Sequence, residues 1–201
     1  MSNEFESIKY KTFAKLLYYP DSELVEFLYN NVITDFLSEL EIDSEVLKNL
    51  KKWLASFENK DELLEAIQVE YTNLFITSFP SVPAHMFKSY YYEKEILGNS
   101  TEKIMDIYEK YGFHVSDNMN EPADNLAIML EFVYRLSERE NTYDEQIDFI
   151  QNEILSWVDK LERSIVKFAK APFYPYIINA IINDLKNDVT QHEIKLAGAK
   201  I

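Results

Sequence analysis

Apolar side chains recur at three- and four-residue intervals along almost the whole chain, and that period leaves helices as the only economical fold. Phe5, Ile8, Thr12, Phe13, Leu16 and Leu17 predict a first helix over residues 3–18. Tyr19-Pro20 ends it, because the residue before a proline is pushed out of the α region. Pro20 then suits the first turn of a second helix over 21–30, and a short third helix covers 33–40. Asp43 and Ser44 suit the N-cap of a helix that shows Val46, Leu47, Leu50, Trp53, Leu54 and Phe57 on one face. Another follows Asn59, with Leu63, Leu64, Ile67, Tyr71, Leu74 and Phe75 in register, and ends near Ile76. A short helix over 90–97, stopped by Gly98, precedes one carrying Ile104, Ile107, Tyr108 and Tyr111, with Gly112 just beyond its end. Glu121-Pro122 opens a strong helix with Leu126, Met129, Leu130, Val133 and Leu136 inward. The longest helix is expected from Tyr143 to Lys170, and the last from Tyr176 to Lys186 or beyond, with a fraying tail.

Only three glycines and six prolines interrupt 201 residues, too few for the many turns of an all-β protein. The expectation is a single all-α domain over residues 1–201, a helical bundle of about nine or ten helices. Two stretches break the period. Residues 77–88, from Thr77 to Lys88, carry two prolines yet are apolar for a loop. Residues 114–120 are polar.

Composition removes several kinds of chemistry. With no cysteine, the chain has no disulfide, thiolate metal site, iron–sulfur cluster or cysteine nucleophile. Its glycines cannot form a phosphate-cradling loop. Residues 1–10 lack the apolar run of a signal peptide, and no stretch nears the about 18 uninterrupted apolar residues of a membrane span. A soluble, cytoplasmic protein is expected. The net charge of −15, from 35 acidic and 20 basic residues, repels phosphate backbones and attracts basic peptides. The same charge also serves simply to keep an acidic protein dispersed.

Neither metal nor catalytic machinery is visible. The residues three before His85, His114 and His192 are Val82, Tyr111 and Val189, so the Glu-x-x-His pairs of di-iron bundles are missing. Asp188 and His192 lie four apart, which reads as a surface coincidence. No serine sits in G-x-S-x-G. No metal, cofactor or catalytic residue is assigned.

What remains is a group of aromatic residues around the first loop and a polar group at a helix start. Tyr71, Leu74, Phe75, Phe79, Met86, Phe87, Tyr90, Tyr91 and Tyr92 form the former; Glu121, Pro122, Asp124 and Asn125 the latter. Packing and helix-start chemistry would account for both without any ligand.

Taken together, these segments resemble the TorD/DmsD family of redox-enzyme maturation chaperones. The resemblance rests on Glu70-Tyr-Thr-Asn-Leu-Phe75, Phe87-Lys-Ser89-Tyr-Tyr91-Tyr-Glu93, and Leu97-Gly98 with Thr101. It continues in Tyr108-Glu-Lys-Tyr-Gly112-Phe113, Glu121-Pro122-Ala-Asp124-Asn125-Leu-Ala127 and Leu130-Glu131-Phe132. Order and spacing agree across roughly residues 64–139. Two departures stand out. Asn125 replaces the family's histidine and cannot become cationic, and Phe87 lacks the hydroxyl of the family's tyrosine.

The resemblance implies a TorD-like helical fold and a non-enzymatic role. The chain would bind the immature catalytic subunit of a molybdopterin oxidoreductase, through an N-terminal and in many relatives twin-arginine leader, before cofactor insertion. A NarJ-like assembly factor for nitrate reductase is the nearest alternative; a helical scaffold without a leader-peptide client, or a helical enzyme, lies further off. The implied client-binding residues are Tyr71, Leu74, Phe75, Phe87, Ser89, Tyr91, Glu93, Glu121, Pro122, Asp124 and Asn125. Asp124 and Glu121 would meet the leader's arginines, and the aromatics its apolar stretch. A monomer or a helix-exchanged dimer would both suit such a bundle.

Overall fold

The structure, a computed structural model, describes residues 3–40, 44–78, 81–115 and 121–198. Asp43 and Phe79 lie outside them. Among the described residues every regular element is helical, apart from one isolated antiparallel bridge between Phe87 and Asn125. The all-α expectation is met. Contacts divide the chain into two compact units whose segments alternate in sequence. The first comprises Met1–Leu17, His85–Lys160 and Lys186–Ile201; the second comprises Tyr18–Ala84 and Leu161–Leu185.

In the second unit, α2 (Ser22–Tyr29) packs on α3 (Val32–Glu39) and on α5 (Lys60–Tyr71), and α3 packs on α4 (Ser44–Leu54). The helix starts follow from their caps. The Asp21 carboxylate accepts the Leu24 N–H at 2.8 Å, and the Asn59 side chain accepts the Glu62 N–H at 3.0 Å. α5 runs into a π-helical turn, Thr72–Ile76, closed by the Thr77 N–H on the Thr72 carbonyl. Leu24, Leu28, Leu37, Leu63, Ile67 and Leu74 are buried among these helices.

In the first unit, α1 (Asn3–Leu17) lies along α8 (Leu126–Ser137), and α6 (Lys88–Glu93) lies against α7 (Asn99–Lys110). α8 also packs on α9 (Tyr143–Phe149). Gly112 ends α7 as expected, with φ at 61° and two closing bonds: Gly112 N–H to Glu109 O, and Phe113 N–H to Tyr108 O, both 2.9 Å. Phe132 and Phe149 stack edge-on at 4.8 Å, with Tyr108 and Phe113 against Phe132.

Several boundaries differ from the sequence reading. α6 begins at Lys88 and stops at Glu93, because Lys94 takes a left-handed conformation with φ at 65° and its N–H returns to Tyr90 O. Gly98 therefore precedes α7 as its N-cap and terminates nothing. α8 starts at Leu126, four residues later than Pro122, because Asn125 caps it. The helix expected over 143–170 is three pieces: α9, a π-helical turn Ile150–Ile154, and α10 (Val158–Phe168). The last helix, α11 (Phe173–Gly198), is the longest at 26 residues. Pro175 does not block it, since the first-turn N–H groups of a helix have no partner within it.

Candidate functional site

Asp124 organises the first unit's candidate residues. Its side chain is fully buried. Oδ2 accepts the Ser89 N–H at 2.7 Å, and Oδ1 accepts the Thr101 hydroxyl at 2.9 Å. One carboxylate thus caps the start of α6 and holds the first turn of α7. Its backbone carbonyl accepts the Lys88 N–H at 3.2 Å, while the Leu126 N–H donates to Met86 O at 2.9 Å. These two bonds flank the Phe87–Asn125 bridge. The Tyr108 hydroxyl completes the frame with a 2.9 Å bond to Ala123 O. Burying a carboxylate is costly unless donors such as these satisfy its oxygens.

Asn125 uses both ends of its amide. Oδ1 accepts the Ala127 N–H at 2.9 Å, the N-cap bond of α8, and Nδ2 donates to Glu121 Oε2 at 3.1 Å. Glu121 itself is exposed and Pro122 is half-buried. Glu93 Oε1 accepts the Ser100 hydroxyl at 2.6 Å, closing the loop between α6 and α7. A Cβ on Gly98 would lie 2.9 Å from Glu93 Oε2, so glycine there lets the carboxylate settle against the start of α7.

Sequence reasoning missed a second polar centre, at Glu153 in the π-helical turn. Its carboxylate is buried and takes Lys88 Nζ on one oxygen and Lys103 Nζ, at 2.6 Å, on the other. Burial pushes the Glu153 pKa up, but the hydrogen bonds from Lys103 and Lys88 outweigh it and hold the group below the usual carboxylate value. The Glu153 carbonyl accepts the Trp157 indole N–H at 2.9 Å, and the Trp157 ring stacks on Tyr91 at 5.4 Å. Tyr91, a candidate from sequence, therefore stands on a platform that sequence did not reveal. The lone signal available was the pair of polar residues Lys88 and Glu153 on otherwise apolar helix faces.

The second unit holds Tyr71, Leu74 and Phe75. Tyr71 packs edge-on against Tyr19 at 5.4 Å, Phe75 at 5.0 Å and Tyr174 at 5.8 Å. Leu74 is buried, with its carbonyl accepting the Ala84 N–H at 3.0 Å, while Phe75 is half-buried. Glu70 Oε1 accepts the N–H groups of Lys170 and Ala171 at 2.6 and 3.0 Å, fixing the turn ahead of α11. Burial raises the Tyr174 hydroxyl well above its ordinary pKa, helped by Tyr71, Glu70 and Tyr19 nearby.

The candidates thus fall into two sets. Phe87, Ser89, Tyr91, Glu93, Glu121, Pro122, Asp124 and Asn125 belong to the first unit, and Tyr71, Leu74 and Phe75 to the second. Within the first set, Ser89, Asp124 and Asn125 are buried and Phe87, Tyr91 and Glu121 reach the surface. The Asp124 carboxylate, expected to face a guanidinium, faces Ser89 and Thr101 instead.

Residues 39–163 match the protein family described as nitrate reductase delta subunit, a match over more than half of the chain. The chain belongs to the nitrate reductase delta subunit family. The matched stretch of this delta-subunit relative takes in α4 to α9 and with them every candidate residue above. The chaperone protein TorD of Actinobacillus pleuropneumoniae serotype 3 (strain JL03) is 26% identical over 156 residues, 77% of each chain. TorD of Vibrio vulnificus (strain CMCP6) is 32% identical over 108 residues, 48% of this chain and 50% of its own. TorD of Aliivibrio fischeri is 27% identical over 173 residues, 78% and 80% of the two chains. A crystal structure of a candidate redox enzyme maturation protein from Archaeoglobus fulgidus shares the fold. Its TM-score is 0.61 over 90% of this chain and 93% of that one, at 24% identity.

Proposed function

We propose that this protein is an assembly chaperone, without catalytic activity of its own, for the catalytic subunit of a molybdopterin oxidoreductase. The observation that carries the reading is the family match over residues 39–163, joined to relatives that bear the name chaperone protein TorD. In this reading the protein works in the cytoplasm, binds the immature subunit by its N-terminal leader, and keeps it receptive to its cofactor before export or assembly.

The side chains support a division of labour. Glu121, exposed at the approach to α8, is the carboxylate placed to meet a leader guanidinium. Phe87 and Tyr91 in one unit offer aromatic surface to apolar leader residues; in the other unit Phe75 is the half-buried ring, and Tyr71, itself buried, packs edge-on against it. Asp124 and Asn125 act behind that surface as positioning residues, because their side-chain atoms hold Ser89 N–H, Thr101, Ala127 N–H and Glu121, and Ser89 joins them through its backbone. Glu93 and Pro122 hold the loops to either side, through the Ser100 hydroxyl and the Asn125 N–H, and Leu74 is buried with its carbonyl on the Ala84 N–H.

The family's own description favours a second reading, in which the client is a nitrate reductase; we take that client to be bound without a leader. Affinity purification of the tagged protein, with partners identified by mass spectrometry, separates the readings. A molybdopterin oxidoreductase subunit carrying an uncleaved leader supports the first, and a leaderless nitrate reductase subunit the second. A preparation free of any such subunit contradicts both and leaves a scaffold.

A further inference from the structure

Away from these residues, the first unit contains a concavity of about 260 Å³ where α1, α8 and the chain leaving α7 come together. Ile128, Phe113 and Val115 give it apolar walls. Phe113 is held firmly: its N–H closes the end of α7, and its ring packs on Tyr108 at 4.8 Å and Phe132 at 5.4 Å. The space is large enough for a flat bicyclic molecule, since cavities of about 150 Å³ already admit benzene.

Its charges are unusual for a chain of net charge −15. Lys11, His114 and Arg135 all line it. Lys11 Nζ lies 5.6 Å from the centroid of the Tyr134 ring, and, behind the Tyr134 hydrogen bond, its charge helps hold the Glu138 carboxyl below its usual pKa. Arg135 lies 5.5 Å from the same ring and spends one terminal nitrogen on Glu138, at 3.0 Å. The Tyr134 hydroxyl is likewise committed to Glu138, at 2.6 Å. One carboxylate, Glu131, shares the lining and offsets part of the positive charge of Lys11 and Arg135, which limits the negative charge the concavity can hold.

We propose that this concavity binds a small organic monoanion with a flat apolar body. The body lies against Phe113, Val115 and Ile128, and the anionic group meets Lys11 and Arg135. An apolar enclosure with a few converging polar groups is the usual build of a small-molecule site.

Calorimetric titration of the full chain with 2-naphthoate tests it, with 2-naphthol and inorganic phosphate as the two halves of the probe. Saturable one-to-one binding of 2-naphthoate is expected, at least about tenfold tighter than either half. Lys11→Glu, at an exposed position, weakens it by at least about tenfold, as expected for loss of a close charge partner. Lys110→Glu, an equal charge reversal at a residue of α7 outside the lining, changes it less than about twofold, because solvent screens a charge that makes no direct contact with the ligand. Absence of saturable binding overturns the proposal. So does 2-naphthol binding as tightly as 2-naphthoate, or equal losses in the two variants, which would mean apolar adhesion or a general field effect. Leader binding is measured on other residues, so failure here leaves the chaperone reading untouched.

Discussion

The Asp124 carboxylate accepts the Ser89 amide at 2.7 Å across 35 residues of sequence, and so acts as the helix cap that α6 does not carry itself. A residue type that reads as a candidate cation receptor thereby becomes part of the frame. Removing it should cost stability before it costs binding.

Asp124→Ala leaves the Ser89 N–H and the Thr101 hydroxyl buried without their acceptor, a loss of about 2–4 kcal/mol. Thr101→Val, which deletes one donor and keeps the shape, should cost about 1 kcal/mol. Urea unfolding of the two single variants and the double variant checks this. The double variant should lose less than the sum of the two single losses, since the two residues share a bond.

Glu153 and Lys88 make the sharper test of stability. Glu153→Gln strands the Lys88 ammonium in a buried site and should destabilise the protein by about 3–5 kcal/mol. Replacing both by apolar residues of similar size, Lys88→Met with Glu153→Leu, should recover most of that loss. A double variant as weak as the single one, by thermal or urea unfolding, contradicts the assignment.

The same carboxylate sets a pH dependence. Its folded pKa lies below the ordinary value of 4.5, so its contribution is fully present above that pH. It is lost as pH falls from about 4.5 through the folded value. Unfolding free energies measured between neutral pH and about pH 3 should therefore fall less steeply in Glu153→Gln than in the parent protein.

Gly112 carries the turn that delivers Phe113 to its aromatic neighbours. With φ at 61°, Gly112→Ala should cost about 1–2 kcal/mol, and Gly112→Asn less, because asparagine tolerates the left-handed region. Thermal melts of the pair give the order directly.

How far the sequence could be read follows from the range of the interactions. Caps within four residues were legible: Asn59 over Glu62, and Gly112 closing α7, follow from local spacing. The apolar period likewise gave the helices and their inward faces. What the period cannot encode is pairing at a distance. Lys88 and Glu153 are 65 residues apart, and although each is a polar residue on an apolar face, nothing local pairs them before the fold joins them. The π-helical turns hide for another reason. One extra residue in a turn shifts the face while leaving the composition helical, so the stretch from Tyr143 to Lys170 read as unbroken. The start of α8 was misplaced because Pro122 is a good first-turn residue, yet Asn125 supplies the side-chain bond that fixes the start at Leu126. The site residues were legible as types. Their roles were not, because a buried carboxylate and an exposed one look alike in a sequence.

The central claim is that a leader peptide is the ligand, and calorimetric titration with a synthetic twin-arginine leader tests it most directly. Saturable one-to-one binding is expected, weakened about tenfold when both arginines become glutamines and by a smaller factor in Glu121→Gln. A folded protein that gives no saturable heat with the leader, or binds it equally well without its arginines, contradicts the account.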